Sequence, residues 1–113
     1  MNYKVKIYPQ FEREIKRLSK KYRSIKEDYA NLLESLKENP MQGADLGKGI
    51  RKVRMAISSK GKGKSGGARV ITLILVLSDE NMEIGLHFIY DKSERISISD
   101  KELLEILKKN GFL

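Results

Sequence analysis

Eight basic side chains, Lys48, Arg51, Lys52, Arg54, Lys60, Lys62, Lys64 and Arg69, fall between Leu46 and Leu77, where no acidic residue occurs. Gly61, Gly63, Gly66 and Gly67 are interspersed with them, so backbone there can approach a ligand closely. A cationic, glycine-rich hairpin between apolar strands makes a poor core and a good surface for phosphate. The two-residue period of a strand puts Lys52 and Arg54 on one face, roughly 7 Å apart. That separation is close to the step between successive phosphates on a single strand. Arg69 opens the following strand, and Lys92 stands just past the one after it. Since antiparallel neighbours reverse direction, Lys52, Arg54, Lys60, Arg69 and Lys92 should converge at one sheet edge. Arg51, Lys60, Lys62 and Lys64 are the expected phosphate-binding positions around them.

Such a cluster can cleave RNA without a metal. The attacking 2′-hydroxyl already lies beside the scissile phosphate, so the site must take its proton, protonate the departing 5′-oxygen and neutralise the phosphorane. Crowded ammonium groups repel one another, which favours a neutral lysine able to act as base. Arginine keeps its proton and grips phosphate oxygens with paired donors. Charge and spacing alone slightly favour the plainer reading, a solvated basic hairpin that only binds anions.

The elements that must position these groups follow from hydrophobic periodicity. Tyr3, Val5 and Ile7 alternate with Lys4, Lys6 and Tyr8, a half-buried strand that Pro9 ends. Phe11, Ile15, Leu18 and Tyr22 form the apolar stripe of a helix. Ser24 with Glu27 predicts a capping box for a second helix, which buries Ile25, Tyr29, Leu32, Leu33 and Leu36 and stops at Asn39-Pro40. The two helices should form an antiparallel hairpin on the sheet. Met41–Gly49 reads as a glycine-rich loop. Val53, Met55 and Ile57 alternate with Lys52, Arg54 and Ala56 in a second strand, and Ala68–Leu77, apolar on both faces, is central. The polar turn Ser78–Asn81 joins it to an antiparallel strand, Met82–Tyr90. A final helix is capped by Ser99 with Glu102 and ends at Asn110-Gly111. The order is β-α-α-β-β-β-α, an α+β domain with a small antiparallel sheet, a helical hairpin and a C-terminal helix.

The chain of 113 residues is long enough for one domain, spanning 1–113, with a core of its own. It carries a formal charge of +8 and a pI near 9.7, which points to nucleic acid or an acidic protein. No helix has a wholly basic face, so a lipid surface ranks last. Absence of cysteine excludes thiol catalysis and zinc–thiolate sites and fits a cytoplasmic setting. No secretory or membrane-spanning segment is expected, and no cofactor or metal set is visible. Gly63-Lys64-Ser65 imitates the end of a P-loop, but Ser58 stands where its first glycine belongs and a strand follows. His87, the only histidine, reads as an ordinary sheet residue rather than an acid–base catalyst.

Lys52-Val53-Arg54, the run Ser59–Ile71 with its Gly66-Gly67-Ala68-Arg69-Val70-Ile71 core, and Ile89–Glu94 before a capped helix together resemble the RelE/HigB superfamily of toxin–antitoxin toxins. The likeness runs through nearly the whole chain, and the basic hairpin is its specific part. It implies a small sheet with helices and cleavage of mRNA in the ribosomal A site, leaving a 2′,3′-cyclic phosphate and a 5′-hydroxyl. It also implies an antitoxin partner, which in this family commonly covers an apolar surface such as that of Leu103, Leu104 and Leu107. Matched by position, Lys52 is the better candidate base, Arg54 a phosphate clamp, Arg69 the transition-state arginine and Lys92 the basic group near the leaving oxygen. Lys92 stands where the best-known members have arginine. Their late base-stacking tyrosine has no counterpart here: beyond Tyr90 the only aromatic is Phe112.

Two other readings remain at this level. ParE-type relatives share the scaffold and act on DNA gyrase, a role that gives no reason for Lys52, Arg54 and Arg69 to stand together. A plain RNA-binding module would bind naked RNA with a steep salt dependence and cut nothing.

Overall fold

The computed structural model describes residues 2–112. Strand β1 (Asn2–Ile7) leads through Pro9, the first residue of α1 (Pro9–Lys21), into the helical hairpin completed by α2 (Ile25–Glu38). Strands β2 (Ala44–Gly47), β3 (Ile50–Met55), β4 (Ala68–Val76) and β5 (Asn81–Asp91) follow, then α3 (Asp100–Lys109). The sheet has five strands in the order β1-β5-β4-β3-β2. Its α+β class and the antiparallel meander β3-β4-β5 agree with the periodicity, with β4 central. Two features differ. The segment expected to be a loop at 41–49 contains β2, a short edge strand paired antiparallel to β3. The sheet is also mixed, because β1 pairs parallel to β5, from Asn2 opposite Asn81 to Ile7 opposite Leu86. That partner is far away in sequence, and alternation within β1 says nothing about it.

The sheet is covered on both faces by apolar side chains of opposite parity. On one face Val53, Met55, Ala68, Val70, Ile84, Leu86 and Ile89 meet Phe11 and Leu18 of α1 and Ile25, Leu32 and Leu36 of α2. On the other, Leu103, Ile106 and Leu107 of α3 cover Ile50, Ile71, Leu73, Phe88 and Tyr90. By strand parity Lys52 and Arg54 share the face of Ile50. That face is therefore apolar under α3 and cationic beyond it.

The helix ends show where local rules hold and where they yield. Ser99 caps α3, its Oγ accepting from the Glu102 N–H at 3.1 Å. The far end closes with Gly111 at φ +91°, the Gly111 N–H on Lys108 O and the Phe112 N–H on Leu107 O, a Schellman ending. The capping box expected at Ser24 does not form: Ser24 has helical dihedrals, and its Oγ donates to Asp28 and accepts from the Ser59 N–H. A tertiary partner displaces the local one there.

Candidate active site

Lys52, Arg54, Lys64 and Arg69 line one open cleft of about 480 Å³, with Gln42, Gly43, Ala44 and Val53 completing its wall. None of these residues is acidic. Arg54 stands directly opposite Arg69 in the β3–β4 register, and Arg69 opposite Tyr90 in the β4–β5 register. Like charges facing each other across a ladder destabilise a sheet. A pair of arginines held so, with no carboxylate in the same cleft, is what an anion site requires and what a stable fold alone would avoid.

Arg69 is held in place by its own loop. Its side chain is buried, and Nη1 donates to Lys64 O at 3.0 Å and Ala68 O at 3.1 Å, while Nη2 donates to Ser65 O at 3.3 Å. The Nε–H and the second Nη2 proton meet no acceptor among the described residues, so they remain for a ligand. Gly67 makes this geometry possible, since a Cβ there would lie 2.2 Å from Met55 O.

Two buried carboxylates fix the base of the loop. Asp28 on α2 accepts from the Ser58 N–H and Oγ, at 3.0 and 2.5 Å. Asp91, fully buried, accepts from Lys60 Nζ at 2.6 Å, Tyr22 Oη at 2.5 Å, and the Ser93 N–H and Oγ. Burial opposes the Asp91 charge, but the hydrogen bonds from Lys60, Tyr22 and Ser93 outweigh it and hold the carboxyl well below the usual carboxylate range. Nearby, Glu94 is drawn down to about 2, chiefly by hydrogen bonds from Arg17, with burial opposing and Lys21 assisting.

The structure redistributes several expected phosphate ligands. The Lys60 ammonium is engaged by Asp91, Ser93 Oγ and Gly66 O and lies over the Tyr22 ring. Arg51 is also withdrawn, because it has the opposite strand parity to Lys52 and donates to Gln42 O and Gly43 O, tying β2 down. Lys62 is exposed on the loop and does not line the cleft. Lys92 is exposed at the same end of the sheet, its N–H on Gly67 O, but it does not line the cleft either. Tyr90 is buried beneath α3 as a core residue, with its hydroxyl pushed up by burial, an effect that Arg69 and Arg95 partly oppose. His87 is the extra residue where the β4–β5 register slips, stacked on Tyr8 at 4.1 Å and outside the cleft.

Sequence reasoning missed Gln42, Asp28, Asp91 and Arg95. Arg95 lies 5.6 Å from the Tyr90 ring and 5.7 Å from Phe88, paired with Glu102. Gln42 reaches the cleft only because β2 folds onto β3, and the anchoring carboxylates meet partners about thirty residues away. Neither relation leaves a periodic signal.

The model of the RelE toxin of the RelE/RelB toxin–antitoxin system matches residues 5–111. The chain belongs to the RelE toxin family. No match is found among curated proteins. As a RelE-family toxin it has a cognate antitoxin as its partner. Among the described residues, no helix of the toxin is long and apolar enough to cross a membrane.

Proposed function

We propose that this toxin is a ribosome-dependent mRNA endoribonuclease whose scissile phosphate sits in the cleft of Lys52, Arg54, Lys64 and Arg69. The observation that carries the reading is that cations from β3, β4 and the intervening loop share one cleft without a carboxylate. Arg69 offers its free Nε–H and Nη2–H to the non-bridging oxygens and stabilises the phosphorane. Arg54, exposed and without an ion-pair partner among the described residues, clamps the adjacent phosphate. Lys52, half-buried on the same strand face, is placed to accept the 2′-hydroxyl proton. The 2′-oxygen then bonds to phosphorus, the bond to the 5′-oxygen breaks, and that oxygen takes a proton. Lys64 lines the cleft and Lys92 does not, which favours Lys64 as the ammonium that supplies it. The products are a 2′,3′-cyclic phosphate and a 5′-hydroxyl. On this reading the ribosome holds the message in the cleft, and the cytoplasm is where the two meet.

The test is cleavage of a translated message, mapped by primer extension. Arg69→Ala should lower the rate on the order of a hundredfold, the scale for losing one preorganised donor. Because Arg69 also ties down its loop, Arg54→Ala serves as the second variant and should slow cutting without disturbing the fold. Parent-like cutting by both variants would sink the assignment. Unchanged messages with inhibited supercoiling would instead mark a gyrase poison.

A further inference from the structure

A second hollow of about 250 Å³ adjoins the cationic cleft, between α2 and β3, and shares Gln42, Arg54 and Lys64 with it. Its character is different. Leu32, Met55 and Ala56 supply apolar surface, and Asn31 and Gln42 supply amides. The Gln42 amide is oriented by Nε2 donating to Ser35 Oγ at 2.6 Å and Asn39 O at 3.1 Å. That leaves its Oε1 as an acceptor with no partner among the described residues. The Asn31 amide is likewise unpaired among them. Asp28 also lines the hollow, with its oxygens already engaged by Ser24 and Ser58.

Asp28 makes this space less favourable for a phosphate than the carboxylate-free cleft, although Arg54 and Lys64 border both. A flat, neutral heterocycle is not repelled, and amides that both donate and accept match its polar edge. Arg54, on the border of both spaces, can hold a phosphate with its fork or stack its plane on a ring. We propose that this hollow is a nucleobase subsite, taking the unstacked base of a nucleotide next to the phosphate in the cleft. The inference rests on the reading that RNA phosphate occupies that cleft. Asn31, Gln42 and Ala56 then belong to the groups that set where the strand is held.

The probe is a labelled tetraribonucleotide, with a matched series each lacking one base, titrated by fluorescence anisotropy at low ionic strength. For the parent, removing one particular base should weaken binding about tenfold, the scale of one stacked base. Asn31→Ala removes an edge contact from an exposed helix position where alanine is well tolerated. Ala56→Leu fills the hollow. Either variant should reduce that base penalty to about twofold or less, whereas Arg69→Ala, at a residue that lines the cleft but not the hollow, should weaken every strand alike. A full base penalty surviving in both Asn31→Ala and Ala56→Leu overturns the subsite and leaves the phosphate reading standing. Strand binding indifferent to both Arg54→Ala and Arg69→Ala overturns the phosphate reading, and the subsite with it.

Discussion

Asp91 shows how one side chain can serve an active site it never touches. Its carboxylate gathers Lys60, Tyr22 and Ser93, and Lys60 also reaches Gly66 O in the cationic loop. That loop in turn supplies the carbonyls that hold Arg69. Removing the charge leaves the Lys60 ammonium with little water and no counter-ion, the costly half of a broken pair. Asp91→Asn is therefore expected to destabilise the toxin by about 3 kcal/mol, read from urea unfolding at neutral pH. A cost near zero would show that Lys60 finds water instead. Charge and spacing alone put Lys60 among the phosphate ligands and could not show its bond to Asp91, because which carboxylate a lysine meets is decided by packing.

At the scale of elements, the cleft depends on how closely the loop–β4 junction approaches the end of β3. Gly67 sits at that approach, and any Cβ would meet backbone of Met55, Ala56 and Ile57 rather than a movable side chain. Gly67→Ala should thus cost about 2 kcal/mol or more and lower cleavage, through displacement of Arg69. Gly63→Ala serves as control, having open space around its Cβ but a φ of +63°, so it should bring backbone strain and little loss of cutting. Equal cleavage by the two variants would separate the junction from the chemistry. The glycines themselves were visible in the sequence. Which of them was sterically obligatory was not, because Met55 O approaches Gly67 only after β3 and β4 have paired.

For the whole molecule, His87 joins elements from both ends of the chain. Its ring stacks on Tyr8 at the start of α1, meets the edge of Phe112 and lies 3.0 Å from Asn110 Nδ2, while Nε2 has no hydrogen-bond partner among the described residues. Burial first, and then Lys6, lower it from 6.5 to about 4. The folded imidazole therefore stays neutral where the unfolded chain takes up a proton. Its contribution is complete above pH 6.5 and is lost as pH falls toward 4. Stability should drop by about 2 kcal/mol between pH 7 and 5, and His87→Phe should flatten that slope in parallel urea titrations. Asp91 acts lower, its contribution complete above about 3.8 and lost as pH falls below that toward the depressed folded value. An unaltered slope in His87→Phe would place the titrating group elsewhere.

Local and periodic relations were legible from the chain alone. Alternation set Lys52 and Arg54 on one face and assigned Val53 and Met55 to the core, stripes at helical spacing gave both hairpin helices, and Ser99 with Gly111 bounded the last helix. These depend on residues a few positions apart, whose geometry the backbone fixes. Only the tertiary structure decided that β1 runs parallel to β5, that Arg54 faces Arg69, that Lys60 and Arg51 are consumed internally, and that Gln42 borders the cleft. Each of those depends on a partner distant in sequence, and the choice among many cations and carboxylates is made by packing, not by spacing.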